Sequence, residues 1–259
     1  MSLQSQDVNH LSSVKNALRI LRSFTIDEPE KKVSDLAISL GLNKSTVSRT
    51  MATLASEGFV YKNPETNKYR LGFSILTLSG IVNSNMDVYR ESITELNKLV
   101  ESTGETSHIS VMDSLDVMYI HKVECNHPVR VLTHVGRRNP LYCTSSGKIL
   151  LAYSKEENLL ERIVNQELKR FTKNTITNPK QLRNHLEEVR KNGYAYTVEE
   201  YTEGVSSIAA PVYDYLGNVI AAVAIVGPKQ RIQPQKVNSL SKKVISAANE
   251  ISYRMGYWK

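Results

Sequence analysis

One segment restricts the possible folds more than any other: residues 33–62, which read VSDLAISLGLNKSTVSRTMATLASEGFVYK. Apolar residues recur at helical spacing on both sides of Gly41, which predicts two short helices. Ser34 is expected to cap the first helix and Asn43 the second, and glycine tolerates the left-handed backbone that closes a helix. Two helices joined by a short turn that contains glycine predict a helix-turn-helix.

A predicted β-hairpin follows the second of these helices directly. Residues 59–62 and 68–71 have the composition of two short strands, and residues 63–67, NPETN, supply the turn between them. A hairpin in this position is a wing, and its basic side chains lie where a wing meets the phosphate backbone.

The sequence predicts two domains joined by a helix. An apolar stripe at helical spacing over residues 12–24, capped by a serine at its start, completes a winged helix-turn-helix over residues 10–72. Residues 73–86 are predicted to form a helical linker, because apolar residues continue there without a Gly-, Ser- or Pro-rich stretch. Residues 87–259 are then predicted to form the second domain.

The second domain alternates predicted strands with predicted helices. A hairpin around residues 216–218 favours a mainly antiparallel sheet, so the fold class is expected to be α+β. The predicted strands cover residues 108–113, 117–123, 129–135, 194–198, 206–214 and 219–227. The predicted helices cover residues 87–104, 145–153, 155–168, 179–193 and 237–251.

The exposed face of the second helix in the helix-turn-helix carries hydroxyls and cations. The major groove of duplex DNA admits one α-helix, and such side chains bond there with base edges or phosphates. The chain has a net charge of +7, and residues 1–72 hold ten Lys or Arg against seven Asp or Glu. The sequence therefore predicts a double-stranded DNA partner, contacted by Lys44, Ser45, Thr46, Ser48, Arg49 and Thr53 of the helix and by Lys62, Lys68 and Arg70 of the wing.

Three observations concern the cellular location of the protein. No apolar run approaches the roughly 20 residues of a membrane-spanning helix, so no membrane partner is expected. The first residues, MSLQSQDVNH, lack the charged and apolar regions of a secretion signal. Two cysteines are too few for the usual disulfide framework of a secreted protein, so we expect a cytoplasmic protein.

Several spaced motifs resemble those of the IclR family of bacterial transcription regulators, and the resemblance covers nearly the whole chain. In the first domain it rests on Lys44–Arg49 with Thr53 and Leu54, and on Tyr69–Gly72. In the second domain it rests on Gly136–Leu141, Thr144–Lys148, Gly193–Ala195, Glu199, Glu200, Gly204, Val205 and Ala209–Val212.

The resemblance implies a GAF-like effector-binding domain and a homodimer or homotetramer on palindromic operators. It implies a ligand-responsive regulator, expected here to be a repressor of a catabolic operon that binds a small organic acid. No enzymatic activity, cofactor or metal is expected.

Carried over position by position, the family's effector pocket falls on Thr144, Ser145, Ser146, Gly147, Thr197, Ser207, Ala224 and Val226. This sequence departs from the family where many members have cysteine at 207, and where some have Ser-x-Ser at 224–226. The apolar Ala224 and Val226 predict an effector with a carboxylate end and a bulkier apolar or aromatic body.

Other patterns have ordinary explanations that we favour. His121, Cys125 and His127, with His134 nearby, are spaced like metal ligands but also fit a strand and its loop. The sequence Ser146-Gly147-Lys148 lacks the earlier glycine and the following hydroxyl of a phosphate-binding loop.

Two rival functions remain open on the sequence alone. One is an enzyme that acts on a small organic acid, with Cys143 as nucleophile and a vestigial DNA-binding module. The other is a winged helix that docks on protein. The first predicts turnover of its bound ligand, and the second predicts no salt-sensitive affinity for DNA.

Overall fold

The computed structural model describes residues 11–128 and 134–258. The chain divides into two compact units, with the boundary between Asn85 and Met86. The helix expected to link the domains therefore groups with the N-terminal unit. Each unit is described by itself.

The N-terminal unit is a winged helix-turn-helix, as predicted. Its elements are α1 (Ser12–Arg22), α2 (Val33–Leu40), α3 (Lys44–Ser56), β1 (Val60–Lys62), β2 (Tyr69–Leu71) and α4 (Ser74–Ser84). Strands β1 and β2 are antiparallel. Gly41 closes α2 with a φ of 63°, which lets the chain turn into α3. The core consists of Ile20, Leu36, Ala37, Val47, Met51, Val60 and Tyr69.

The starts of two helices differ from the prediction. Helix α1 follows Leu11 and helix α2 follows Lys32, so the serines expected to cap them lie inside the helices. The hydroxyl of Ser34 instead donates to the Asp35 carboxylate, 2.9 Å away. Leu11 and Lys32 have an extended backbone and directly precede the two helices. Each helix therefore begins earlier in the chain than a serine cap would require.

The C-terminal unit contains one six-stranded antiparallel sheet with strand order β5-β4-β3-β8-β7-β6. Its strands are β3 (Thr106–Asp113), β4 (Asp116–Val123), β5 (Arg138–Pro140), β6 (Ala195–Val198), β7 (Val205–Tyr213) and β8 (Val219–Pro228). Its helices are α5 (Asp87–Thr103), α6 (Ser145–Tyr153), α7 (Leu159–Val164), α8 (Pro179–Asn192) and α9 (Pro234–Arg254), with a 3₁₀ turn at Leu141–Cys143.

The sheet is covered by helices on both faces. Along β8, Val223 and Ile225 join the core formed with α5 and α9. Ala222 and Ala224, on the opposite face, join the core formed with the 3₁₀ turn, α6, α7 and α8. This alternation explains why β8 is almost entirely apolar, since both faces of the strand are buried. The α+β fold with an antiparallel sheet is confirmed.

Three segments of this unit depart from the sequence prediction. Helix α7 is shorter than expected because Asn158, just before it, has a left-handed backbone with φ of 64° that a longer helix could not contain. Strand β5 was not expected, since three residues are too few to show alternation. Most of the strand predicted over residues 129–135 lies outside the described residues.

Candidate functional site

Helix α3 presents a polar surface to solvent. Val47 and Met51 are fully buried and fix which side of the helix faces inward. The side chains predicted to contact DNA lie on the remaining faces: Lys44, Ser45, Ser48, Arg49 and Thr53 are exposed, and Thr46 is half-buried. Within the described residues, Lys44 and Arg49 form no ion pair. Their charges are therefore available to a partner.

The threonines of α3 are partly committed to their own helix. The Thr50 hydroxyl donates to the Thr46 carbonyl at 2.9 Å, and the Thr53 hydroxyl donates to the Arg49 carbonyl at 3.1 Å. Such bonds orient the hydroxyl along the helix and leave its lone pairs free to accept. Thr53 is thus suited to accept a hydrogen bond, whereas Ser45 and Ser48 can donate as well.

The wing holds its cations against tyrosine rings. The Lys62 ammonium lies 5.8 Å from the centre of the Tyr69 ring, and the Arg70 guanidinium lies 5.1 Å from that of Tyr61. Both cations are exposed, whereas Lys68 is half-buried. Cation–π contacts limit the motion of a long side chain and leave its N–H groups free. The hairpin therefore presents two oriented positive charges.

The C-terminal unit has a pocket of about 590 Å³, part of it open to solvent, at the start of α6. All six strands of the sheet, β3 to β8, contribute to its walls, as does the loop after β6. The residues that line it are His108, Tyr119, Arg137, Asn139, Cys143, Thr144, Ser145, Ser146, Thr197, Glu200, Tyr201, Thr202, Val205, Ser207 and Val226.

One wall of this pocket is a chain of hydroxyls. The Ser207 hydroxyl lies 2.8 Å from both the Ser145 and the Thr197 hydroxyls. Thr144 caps α6, since its hydroxyl accepts from the Gly147 N–H at 3.1 Å. The N–H groups of Ser145 and Ser146 belong to the first turn of α6, where a helix has no partners of its own for them. This corner can therefore donate several hydrogen bonds to an anion.

A second wall combines an imidazole, a phenol and an amide. The Asn139 amide donates to the Tyr119 hydroxyl at 3.0 Å, and the His108 ring meets the Tyr119 ring edge-on at 4.5 Å. The His108 Nε2 lies 3.4 Å from the Ser146 hydroxyl. Burial, together with the charge of Lys122, lowers the pKa of His108 to about 4, so its ring is neutral near pH 7.

One of the pocket residues, Glu200, belongs to a buried ion pair. The Lys148 ammonium is fully buried and donates to the Glu200 carboxylate at 2.5 Å. Burial raises the pKa of Glu200 and lowers that of Lys148, and the attraction within the pair opposes both shifts. Burial also raises the pKa of the nearby Cys143 thiol to about 12, with the Glu200 charge adding to the shift. The thiol is therefore protonated, which disfavours it as a nucleophile.

Comparison with known proteins agrees with this architecture. Residues 13–64 match the IclR helix-turn-helix domain, and residues 81–253 match the bacterial transcriptional regulator IclR C-terminal domain. The chain belongs to the IclR family of transcription regulators. It is thus a DNA-binding regulator, and the expected resemblance is confirmed.

Three proteins illustrate the similarity. The regulator KdgR of Escherichia coli is 34% identical over 95% of this chain and 94% of its own length. The transcriptional repressor AllR of Klebsiella pneumoniae is 30% identical over 94% of this chain and 90% of its own. The structure of an IclR homologue from Microbacterium hydrocarbonoxydans, complexed with 4-hydroxybenzoate, has a TM-score of 0.84 and 25% identity, covering 94% of this chain and 99% of that one.

In this IclR-family chain, most of the residues predicted to bind an effector meet at the pocket. Thr144, Ser145, Ser146, Thr197, Ser207 and Val226 line it. Gly147 and Ala224 do not. A side chain at Gly147 would collide with the Leu141 backbone, so this glycine lets α6 pack against the 3₁₀ turn. Ala224 is buried in the core beneath α6.

Sequence reasoning missed much of the polar lining. His108, Tyr119, Asn139 and Glu200 come from four separate segments, and Arg137 is exposed where the pocket opens. The expectation of an apolar effector body rested on Ala224 and Val226, of which only Val226 lines the pocket. One signal for Glu200 was present in the sequence: a lysine within the apolar run of α6 needs a buried carboxylate partner.

Within residues 11–128 and 134–258, the metal-ligand candidates from the sequence do not come together as a site. Among the described residues, no three His, Cys, Asp or Glu side chains are grouped so that they could hold a metal ion. His121 stacks edge-on against Tyr89 at 5.0 Å, and Cys125 is buried beside the Thr106 hydroxyl. No helix in residues 11–128 and 134–258 is both long and apolar enough to cross a membrane.

Proposed function

We propose that this chain is an effector-responsive repressor, in which a small organic acid bound in the C-terminal pocket changes the affinity of the N-terminal unit for its operator. The observation that carries the proposal is the pocket itself. It sets the free N–H groups of α6 and a row of hydroxyls beside a cavity that is partly open to solvent. AllR, a relative, is named as a repressor, which supports the direction of control.

The proposed DNA contacts divide into two groups. Ser45, Ser48 and Arg49 on the exposed face of α3 are placed to reach base edges, with Lys44, Thr46 and Thr53 beside them. Lys62, Lys68 and Arg70 of the wing bind phosphates. The first group would set sequence preference, and the second would set overall affinity and its dependence on salt.

The proposed effector contacts begin with the carboxylate. An anion at the start of α6 would accept from the N–H groups of Ser145 and Ser146 and from their hydroxyls. Arg137, which forms no ion pair with any described residue, adds a cation at the rim of the pocket. The Microbacterium homologue was crystallised with 4-hydroxybenzoate, also a carboxylate, which supports an organic acid here.

The working form is proposed to be a homodimer, or a dimer of dimers, in the cytoplasm and without enzymatic activity. Helix α4 buries none of its residues, and its apolar side chains Leu76, Leu78, Ile81 and Val82 are at least half exposed. An exposed apolar helix of this kind favours association with a second copy. The high pKa of the Cys143 thiol supports the absence of nucleophilic catalysis.

Gel-shift titration of the full chain against DNA from upstream of its own gene tests the proposal. We expect a specific complex that a subset of small organic acids dissociates, while the bound acid is recovered unchanged. Specific binding that no acid affects would refute the effector role. Turnover of the acid would favour the enzyme alternative, and no salt-sensitive affinity for DNA would favour a protein-docking module.

A further inference from the structure

The pocket gathers buried polar atoms that lack a partner. Within the part of the chain that the structure describes, His108 Nδ1, Asn139 Oδ1 and Glu200 Oε2 form no hydrogen bond of good geometry, and the Ile176 N–H is the backbone donor that affects the Glu200 carboxylate. The three side chains belong to residues that are only 3%, 4% and 7% exposed, and all three line the pocket. Buried polar atoms are normally hydrogen-bonded, so three orphans on residues that line one cavity indicate a ligand toward which these side chains turn when it binds.

The chemistry of these atoms specifies what the ligand must offer. A carboxylate oxygen such as Glu200 Oε2 can only accept a hydrogen bond, and so can the amide oxygen of Asn139, whose N–H₂ group already donates to Tyr119. The neutral His108 ring has one N–H and one lone pair to share between Ser146 and the cavity. At least two of the three orphans therefore require a donor from the ligand.

The ligand also needs groups that match the opposite wall. The hydroxyls of Ser145, Thr197 and Ser207 are linked to one another, and each retains capacity to donate or accept. An alkyl or aromatic body placed between these two walls would displace water and leave the acceptors of Glu200 and Asn139 unsatisfied. A body carrying hydroxyl groups would donate to those acceptors and exchange bonds with the serines.

We infer that the effector is a polyhydroxylated carboxylic acid, whose hydroxyls donate to Glu200 and Asn139 while its carboxylate lies at the start of α6. The inference rests on the proposed function and narrows its ligand class. The orientation follows from charge: the Glu200 carboxylate disfavours an anion beside it, whereas the N–H groups of Ser145 and Ser146 attract one. Asn139 and Glu200 are thus specificity-determining residues, because they accept hydrogen bonds from the hydroxyl groups of the ligand.

Calorimetric titration of the full chain with matched acids tests this ligand class. The pairs are gluconate against hexanoate and arabinonate against pentanoate, so that each pair shares its carbon number and differs in hydroxyls; galactonate covers a second stereochemistry, and 4-hydroxybenzoate represents an aromatic body. We expect at least one polyhydroxylated acid to bind ten times or more tighter than its deoxygenated partner and than 4-hydroxybenzoate.

Two variants test whether Asn139 causes the preference for hydroxylated acids. Asn139→Leu should weaken binding of the polyhydroxylated acid at least tenfold and change binding of the deoxygenated acids by less than twofold. Ser110→Ala is the control, because it removes a buried hydroxyl from the same strand as His108 without touching the pocket lining. If Asn139→Leu fails to fold, the comparison of acids on the unmodified chain still decides the ligand class.

The outcomes separate this inference from the proposed function. If a deoxygenated or aromatic acid binds as tightly as the polyhydroxylated ones, the inference is wrong and an organic-acid effector stands. If a folded Asn139→Leu chain binds the polyhydroxylated acid as tightly as the unmodified chain does, the proposed role of Asn139 is overturned. If none of the acids binds, the inference is overturned, while the effector role and DNA binding are judged by the gel shift with a wider set of organic acids.

Discussion

The Lys148 ammonium donates to the Glu200 carboxylate at 2.5 Å, and this buried pair joins α6 to the segment that follows β6. Each residue of the pair is also held in place by its own segment of the chain. Glu200 is anchored by its own carbonyl, which accepts from the Thr175 hydroxyl at 2.6 Å. Lys148 is fixed by the helix that Thr144 caps. Because α6 begins at the pocket, the pair also helps to hold that helix beside it.

Removing one member of this pair should destabilise the C-terminal unit strongly. Lys148→Met keeps an apolar stem in the helix but leaves the Glu200 carboxylate buried without its cation, which costs about 3–5 kcal/mol of unfolding free energy. Urea denaturation followed by circular dichroism measures the loss. The double variant Lys148→Met/Glu200→Gln should recover part of it, since no buried charge then remains. A double variant no more stable than Lys148→Met would argue against an electrostatic origin.

Arg49→Ala should weaken operator binding and relax its sequence preference. If Arg49 reads a base edge from α3, the loss is about 1–3 kcal/mol, confined to operators that carry the matching base. Fluorescence anisotropy with the operator and a panel of single-base variants measures both effects. Arg162→Ala, which removes an exposed arginine from α7, is the charge-matched control. Equal affinity of Arg49→Ala and the unmodified chain would exclude Arg49 from the interface.

Lys62→Ala should act differently, by weakening all DNA sequences alike. A wing cation that neutralises one phosphate releases about one counterion, so the slope of log K against log salt should become shallower by about 0.9. Titrations at several salt concentrations, with operator and with unrelated duplex, give the slope. Glu65→Gln, at the exposed tip of the same hairpin, provides the control for wing structure. A loss restricted to the operator would move Lys62 from phosphate contact to base contact.

The helix-turn-helix could be predicted because its signals are local. Gly41 at the end of α2, the alternation of buried Val47 and Met51 with polar neighbours, and the turn residues 63–67 all act within a few positions. Hydrophobic periodicity and turn chemistry report such short-range structure directly. The hairpin between β7 and β8 was predictable for the same reason, since Asp214 accepts from the N–H groups of Leu216 and Asn218 within its own turn.

The polar half of the pocket could not be predicted because strand pairing assembles it. His108 lies opposite Ala224 in the register of β3 and β8, more than a hundred positions away in the chain. Asn139 reaches Tyr119 only because three residues of β5 pair with β4. Neither pairing leaves a pattern in the sequence. The resemblance to the family located the α6 side of the pocket, but it did not identify the wall that faces it.

An acidic substitution on α4 should dissociate the proposed dimer. Ile81 is exposed on a helix with no buried residue, so Ile81→Glu places a charge where an apolar partner surface is expected and leaves the fold of the single chain unaffected. Light scattering coupled to size-exclusion chromatography should show a shift toward monomer. Thr77→Glu, an exposed polar position on the same helix, is the control for added charge. An unchanged mass for Ile81→Glu would place the dimer contact elsewhere.

Acid should destabilise the C-terminal unit through His108. Burial holds its folded-state pKa at about 4, below the value near 6.5 of an unfolded chain. Between those two values the unfolded chain binds a proton that the folded chain excludes, so unfolding free energy falls as pH falls from 6.5 to 4. The stability contributed by the neutral ring is fully present above pH 6.5, and its loss over this window amounts to roughly 3 kcal/mol.

His108→Gln isolates this contribution, because glutamine keeps a polar side chain and does not titrate. Urea denaturation of both chains at pH 7, 6, 5 and 4.5 gives the slope of unfolding free energy against pH. The slope of the variant should be shallower throughout this range. The half-buried His185, whose pKa burial also lowers to about 4, is present in both chains and cancels in the comparison. Parallel slopes would mean that the pKa of His108 is the same in the folded and unfolded chains, as it would be if water in the pocket hydrated the ring.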